Sequence, residues 1–246
     1  MTISPQMLKL GFTTAKPQIA VPRIITSVAA LEKQGKTHFA LTAPDPIAFI
    51  NTDVGTEGVI EKFAHKVIYP IEIAREEGET QDTAIRELKR YKDAYHAALE
   101  EKSVRSIVVD TSTEIWELYR MAKFGQLTEI MPYMYREVNK EYRDMVRKAY
   151  SYNKNIIMLH KMKEEYVGKN KTGEYGLAGF KETDYLVQVN VRLYRYAPED
   201  GGAFALYVKD CRQNPDIAGT ELVDPMCSFP FLAATVLPDV DASHWG

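Results

Sequence analysis

The sequence predicts an α/β fold with a mainly parallel central sheet flanked by helices and a C-terminal antiparallel hairpin. Three observations lead to this prediction. Short β-branched runs alternate with longer helical patterns. Runs such as SIVVD and NIIML show no polar alternation, which is typical of strands covered on both faces. Farther along, DYLVQVNVRLYRY and AFALYVKD alternate like antiparallel strands and are joined by the turn-forming APEDGG.

The apolar runs and helical periods set the elements in order. Central strands are expected at residues 23–28, 47–51, 66–69, 106–110 and 155–159. A helix follows Thr80 or Asp82 as N-cap, a second spans 113–124 and stops at Gly125, and a third spans 133–152. After Leu159 the segment KMKEEYVGKNKTGEYGLAGFKETD is polar and has no period, so we expect a long mobile loop.

Composition excludes several classes of protein. The chain of 246 residues fits one large α/β domain with tails, and its net charge of −3 argues against wholesale electrostatic binding to nucleic acid. No apolar run approaches the roughly 20 residues of a membrane helix, and the N-terminus has no secretory pattern. Two cysteines, Cys211 and Cys227, suggest neither a disulfide framework nor a zinc site. We therefore expect a cytoplasmic protein that does not bind membranes.

The segment ALEKQGKT, residues 30–37, has the ending of a phosphate-binding loop between a predicted strand and a short helix ended by Pro44. Gly35 would permit close backbone approach, Lys36 would reach the terminal phosphates, and Thr37 would offer its hydroxyl to Mg²⁺. Alanine stands where the pattern usually opens with glycine. The alternative is a chance tripeptide at a helix start. The predicted ATP-binding residues are Ala30, Gln34, Gly35, Lys36, Thr37 and His38.

A carboxylate at the end of SIVVD supplies the metal partner. Asp110 would hold Mg²⁺ beside the phosphate loop, together with Thr37, because the carboxyl ends of parallel strands meet at one edge of the sheet. Taken alone, Asp110 could equally cap the helix that follows. The loop and the carboxylate together are more specific than either part.

Further catalytic groups are predicted from their places at strand ends. Asp53 would orient the attacking water, with Glu57 as an acidic neighbour that could instead be a solvated carboxylate. His160, at the end of NIIML, would sense the γ-phosphate, or it could be structural. Lys209 and Arg212 would supply a charge to a neighbouring subunit's nucleotide, or they could be ordinary solvated cations.

Taken together, ALEKQGKT, IAFINTD, SIVVDTSTEIWEL and NIIMLHKMK resemble the RecA-like P-loop ATPases, and among them the compact phage-encoded homologues that act in single-strand annealing and recombination. The matching features run in family order over residues 23–212. The resemblance implies ATP and Mg²⁺ binding at Lys36, Thr37 and Asp110, catalysis by Asp53, sensing by His160 and a trans-acting charge at Lys209 or Arg212. The catalytic aspartate departs from the glutamate often found in this family, so Glu57 could take the role.

In RecA-like proteins the loop after the sensor strand lines the DNA channel. Here the predicted DNA-binding residues are Lys161, Lys163, Lys169, Lys171 and Tyr175, whose cations and ring suit single strands. A solvated lid is the alternative, and Glu164, Glu165 and Glu174 count against DNA contact. The partners implied are single-stranded DNA and further copies of the chain, in a ring or a filament.

The resemblance also divides the chain. Residues 1–22 would be an N-terminal extension, 23–222 a RecA-like ATPase domain, and 223–246 a tail that could serve oligomerisation. In that tail, FPFLAATV offers Phe231 and Ala234 as anchors for an adjacent subunit, although an edge strand within the same subunit is the simpler expectation. A loose end follows it.

Three functions compete at this stage. The first is an ATPase that acts on single-stranded DNA in phage recombination or annealing and that DNA could stimulate. The second is a P-loop phosphotransferase or packaging-type motor. The third is a non-catalytic, nucleotide-gated assembly protein, which the acidic net charge keeps open.

Overall fold

The computed structural model describes residues 3–13, 21–53, 56, 58–73, 80–127, 129–167 and 170–246. Its strands are β1 (Ile25–Ala30), β2 (Ile47–Asn51), β3 (Ile68–Glu72), β4 (Ser106–Asp110), β5 (Asn155–Val167), β6 (Asn170–Leu177), β7 (Val189–Arg195), β8 (Phe204–Cys211) and β9 (Glu221–Val223). Within these described residues all nine strands belong to one sheet in the order β3-β2-β4-β5-β1-β7-β8-β9, and β6 pairs with β5.

Strand direction confirms the predicted fold class. The six strands from β3 to β7 in the sheet order are parallel, whereas β8 pairs antiparallel with β7 and β9 pairs antiparallel with β8. Because β1, β2, β4 and β5 run side by side, their carboxyl ends form one continuous edge of the sheet. The phosphate loop follows β1 at that edge, and Asp110 ends β4 there.

The helices are α1 (Pro5–Lys9), α2 (Lys36–Leu41), α3 (Gln81–Glu100), α4 (Ser112–Phe124), α5 (Arg136–Ala149), α6 (Thr183–Leu186) and α7 (Phe229–Val236). Thr80, one of the two residues predicted as N-cap, caps α3 through a capping box with Thr83. The Thr111 hydroxyl accepts from the Glu114 amide and starts α4 one residue earlier than predicted. At its other end, α4 stops at Gly125, which has a φ of 60°.

Two hydrophobic layers cover the sheet. Side chains such as Ile107 and Val109 of β4 pack against α3, α4 and α5. Val108, on the other face of the same strand, packs in a second cluster with Phe39 of α2 and Phe229 of α7. The burial of β4 on both faces explains why SIVVD shows no polar alternation.

The segment after Leu159 differs from the sequence prediction of a mobile loop. β5 continues past the sheet edge to Val167 and pairs antiparallel with β6, so the segment is a two-stranded β-ribbon. The two strands pair from Met162 with Leu177 to Val167 with Asn170, even though most of the described side chains are exposed. The absence of an apolar period therefore reflected missing core contacts and not missing structure.

The C-terminal segment was also predicted wrongly in part. FPFLAATV forms helix α7 instead of the expected edge strand, and it packs on the sheet through Phe229, Leu232 and Val236. Beyond it, residues 242–245 form a short 3₁₀ helix in which the Trp245 side chain is fully buried. The expected loose end is therefore part of the core. Phe231, one of the two predicted anchors, remains 48% exposed.

None of the helices in the described ranges has the length and apolar character needed to cross a membrane.

Candidate active site

The phosphate loop is held in shape by its own lysine. Gly35 has a φ of 83° and Lys33 a φ of 59°, so the loop turns through left-handed backbone conformations just before α2. The Lys36 ammonium folds back and donates to the carbonyl oxygens of Ala30 (3.2 Å) and Leu31 (3.0 Å). Burial lowers the pKa of Lys36, and the charges of Asp110 and Asp53 oppose that shift. A cation therefore lies at the centre of the loop.

Asp110 lies directly beside this loop. The Thr37 hydroxyl donates to its Oδ2 atom at 2.6 Å, across 73 residues of sequence. Burial raises the pKa of Asp110 to about 6, while the Thr37 hydroxyl and the charges of Lys36 and Lys161 lower it and Asp53 raises it. A hydroxyl and a carboxylate that converge in this way are hard oxygen ligands, and the pair fits Mg²⁺.

The end of β4 is fixed by the neighbouring strand end. The Thr52 amide donates to the carbonyl oxygen of Asp110 at 2.6 Å, and the Thr111 amide donates to the Thr52 hydroxyl at 2.9 Å. Asn51 holds the next turn, because its side chain bonds both the amide and the carbonyl oxygen of Asp53. These bonds place Asp53 and Asp110 at one wall. Glu57 lies outside the described residues.

One cavity of about 1180 Å³ joins these groups. The predicted site residues that line it are Ala30, Gln34, Gly35, Lys36, Thr37, His38, Asp53, Asp110 and Lys161. The residues that sequence reasoning missed are Leu31, Glu32, Lys33, Phe39, Val59, Lys62, Met162, Leu193, Phe204, Asp224 and Cys227. Several of these come from the region after β7, which no motif linked to the phosphate loop.

A comparison with protein-family models decides the family. A family described as an AAA domain matches residues 26–195, about two thirds of the chain. The chain belongs to this AAA domain family. A search of curated proteins found no match. The matched range includes the phosphate loop, Asp53, Asp110 and both strands of the β-ribbon, and it ends with β7.

As a member of the AAA domain family, the protein is a nucleotide-binding P-loop ATPase. The family implies ATP binding and, typically, Mg²⁺. The close pair of Thr37 and Asp110 agrees with that implication, because both metal ligands expected of such a site are present and in contact.

His160 lies on the opposite face of β5 from the cavity. Side chains alternate along a strand, and His160 shares its face with Met158, which packs against the α3–α5 layer. The imidazole is fully buried, whereas the next residue, Lys161, lines the cavity and pairs with Glu114 at 2.7 Å. Direct contact between His160 and a γ-phosphate is not supported by this position. Lys161 is the strand-end group that reaches the site.

The buried imidazole predicts a pH-dependent stability. Burial lowers the pKa of His160 to about 4, against the opposing effects of the Ala178 backbone and of Asp184. The unfolded chain therefore takes up a proton near pH 6.5 that the folded protein resists until about pH 4, so stability is lost as pH falls through this window. The loss expected from this group is about 3 kcal/mol.

Urea denaturation of the wild type and of His160→Gln at pH 7 and pH 4 isolates this effect, because other titrating groups are common to both proteins. The advantage of the wild type over the variant should shrink by about 3 kcal/mol between the two pH values. Identical pH dependence of the two proteins would show that the imidazole is not held neutral.

Lys209 and Arg212 lie near the amino ends of the parallel strands, opposite the carboxyl ends where the phosphate loop lies. β8 runs antiparallel to β7, and its last residue, Cys211, pairs with Val189 at the amino end of β7. Lys209 pairs with Asp184 at 2.6 Å, and the Arg212 guanidinium donates to the carbonyl oxygen of Tyr185. Their own chain's phosphate loop is at the opposite edge, so a role in catalysis requires a second copy of the chain.

The β-ribbon starts at the cavity and leads away from it. Lys163 is exposed, the Lys171 side chain is 66% exposed and pairs with Glu164, and Tyr175 is 38% exposed. At the base of the ribbon, the Thr113 hydroxyl accepts from the Lys161 amide and donates to the carbonyl oxygen of Ala178. Thr113 thus ties both strands to the start of α4. Lys169 lies outside the described residues.

Proposed function

We propose that the protein is a RecA-like, Mg²⁺-dependent ATPase that acts on single-stranded DNA as a homo-oligomer, in recombination or annealing. The observation that carries the proposal is the path of β5, which leaves the nucleotide cavity at Lys161 and continues into the exposed β-ribbon. The strand β5 therefore connects the nucleotide cavity to a surface that carries cations and an aromatic ring.

The cavity residues suit hydrolysis of a triphosphate. Lys36 would hold the β- and γ-phosphates, and Asp53 would orient a water molecule for attack on the γ-phosphorus. The bond from that phosphorus to the β-γ bridging oxygen breaks, and the products are ADP and phosphate. Mg²⁺, held by Thr37 and Asp110, would neutralise the charge of the phosphate oxygens. Lys161 adds a positive charge at the same wall.

The β-ribbon supports contact with single-stranded nucleic acid. Lysines that follow a phosphate backbone and a ring on which bases stack form a sequence-tolerant mode of binding. Lys171 pairs with Glu164, whose side chain is only 20% exposed, but the lysine side chain is 66% exposed, so a phosphate can approach its ammonium from solvent. With four lysines and three glutamates in residues 161–177, binding would be local and modest.

Assembly into an oligomer is supported by the place of the predicted trans-acting cations. Lys209 and Arg212 lie at the amino edge of the sheet, so a head-to-tail contact would bring this edge toward the phosphate-loop edge of the next copy. Only such a contact would give these two side chains access to a nucleotide.

ATP turnover measured with Mg²⁺, with and without oligo-dT, tests the function, together with the mass of the protein under both conditions. Stimulated turnover and a larger assembly are expected. Transfer of phosphate to a nucleoside monophosphate would identify a phosphotransferase instead. Nucleotide binding without turnover would identify an assembly protein.

The double variant Lys163→Ala with Lys171→Ala tests the role of the β-ribbon. Removing two phosphate contacts should weaken oligo-dT binding and lower the slope of log affinity against log salt by about 1 to 1.5. Fluorescence anisotropy over a salt series measures both quantities. The matched control is Lys89→Ala with Lys123→Ala, which removes two exposed, ion-paired lysines from α3 and α4. If both double variants keep the wild-type slope, the β-ribbon does not contact DNA.

A further inference from the structure

The cavity is larger than a triphosphate alone requires. Asp53, Asp110 and Lys161 line it from β2, β4 and β5, on one side of β1 in the sheet. Phe204 of β8, with Asp224 bonded to it, lines it from the other side of β1. A volume of about 1180 Å³ exceeds that of most small-molecule sites, which run to about 1000 Å³. The end that carries Phe204 is therefore free to take the remainder of a nucleotide.

Phe204 packs directly on the phosphate loop. A Cβ atom built on Gly35 would lie 3.2 Å from both Cδ1 and Cε1 of the Phe204 ring. The Arg195 guanidinium lies 5.2 Å from the centroid of the same ring, and its Nε donates to the carbonyl oxygen of Gly202. The ring is thus held beside the point where the loop enters α2. It is only partly buried and lines the cavity, as a stacking surface must.

Asp224 is fixed to Phe204 by two hydrogen bonds. The Phe204 amide donates to Asp224 Oδ2 at 2.9 Å, and the Asp224 amide donates to the carbonyl oxygen of Phe204 at 2.9 Å. Within the part of the chain that the structure describes, no protein donor bonds Oδ1. An ionised carboxylate only accepts hydrogen bonds, so this oxygen suits a ligand that presents an N–H group.

We propose that Phe204 and Asp224 form the base-binding end of the cavity, where Phe204 stacks on a purine and Asp224 accepts a hydrogen bond from the 6-amino group of adenine. This inference rests on the proposed function, since it requires a nucleoside triphosphate on the phosphate loop. It adds a reason for the chain to take ATP in preference to other polyphosphates.

The first test compares ATP with inorganic tripolyphosphate, both with Mg²⁺, by isothermal titration calorimetry. Wild type should bind ATP more tightly. Phe204→Ala should weaken ATP binding by roughly 5- to 100-fold, as expected for loss of one stacked ring, and should leave tripolyphosphate binding unchanged. Phe204→Leu, which keeps an apolar side chain of similar size, should give the same pattern.

Tyr207→Ala is the matched control, because Tyr207 lies on the same strand, is 38% exposed and does not line the cavity. It should leave both affinities unchanged. Equal losses of ATP and tripolyphosphate in both Phe204 variants would overturn the proposal, since the ring would then only support the loop. Wild-type affinity for tripolyphosphate equal to that for ATP would overturn it as well.

The second test uses purine riboside 5′-triphosphate, which lacks the 6-amino group. Wild type should prefer ATP, and Asp224→Asn should reduce that preference by roughly 5- to 10-fold, in line with one hydrogen bond. The side-chain carbonyl oxygen that this substitution introduces can still accept from the Phe204 amide. An unchanged preference would remove Asp224 from base recognition. Wild type that binds neither ATP nor tripolyphosphate would instead refute the proposed function itself.

Discussion

Lys36→Ala should weaken binding of Mg²⁺-ATP by at least roughly 100-fold, because each charged hydrogen bond to a phosphate contributes about 1.5 to 3 kcal/mol and the ammonium is placed to make more than one. Lys36 lies at the centre of the loop and within the electrostatic range of Asp110 and Asp53. Turnover should fall with binding. Isothermal titration calorimetry and a phosphate-release assay measure the two effects.

Lys33→Ala is the control, since it removes an exposed lysine from the same loop and makes the same change in net charge. It should retain most of the ATP affinity. Thermal unfolding without nucleotide should be similar in the three proteins, while added ATP should raise the melting temperature of the wild type and of Lys33→Ala only. Nucleotide affinity unchanged in Lys36→Ala would refute the assignment of the phosphate loop.

Trp245→Ala should lower the free energy of unfolding by about 3 to 5 kcal/mol, the range for removing a large aromatic side chain from a core. The Trp245 ring is fully buried in the layer that contains α2 and α7. The neighbouring backbone is fixed too, because the Arg105 guanidinium donates to the carbonyl oxygens of His244 and Gly246. Urea denaturation at pH 7 measures the loss.

Two variants separate packing from a general effect of aromatic residues. Trp245→Phe leaves a ring in the site and should cost less than the alanine variant. Phe231→Ala removes a ring that is 48% exposed on α7 and should change stability by about 0.5 kcal/mol or less. A loss below about 1 kcal/mol in Trp245→Ala would mean that this segment does not belong to the cooperative core.

Much of the sheet could be predicted because its strands are buried on both faces. β2 and β4 have the predicted bounds, and both are continuous apolar runs. β1 is shifted by two residues, and β3 starts two residues and ends three residues later than predicted, since their ends depend on pairing with neighbours and not on their own composition. β9 and α7 were missed as elements, because each is defined by what it packs against.

The site divides in the same way. The contact between Thr37 and Asp110 could be predicted because a loop motif and a strand-end carboxylate each have local signals and parallel strands bring them together. Phe204 and Asp224 could not be predicted, since they reach the loop only through the return of β8 and the pairing of β9. His160 was predicted to face the nucleotide, but Lys161 is the residue that lines the cavity. Successive side chains of a strand face opposite sides of the sheet, so an error of one residue in the alternation reverses which side chain reaches the site.

The bond pair made by Thr113 has a mechanical consequence. Thr113 is three residues from Asp110 along the chain and holds both legs of the β-ribbon. The base of the ribbon is also held by β5 itself, which runs unbroken from the central sheet, and by the Ala178 amide, which donates to the carbonyl oxygen of Lys161 at 2.9 Å. Thr113 therefore connects the helix start next to Asp110 to both strands of the ribbon, and a displacement of that helix start would be passed to the base of the ribbon. Thr113→Val would remove this side-chain link between α4 and the ribbon.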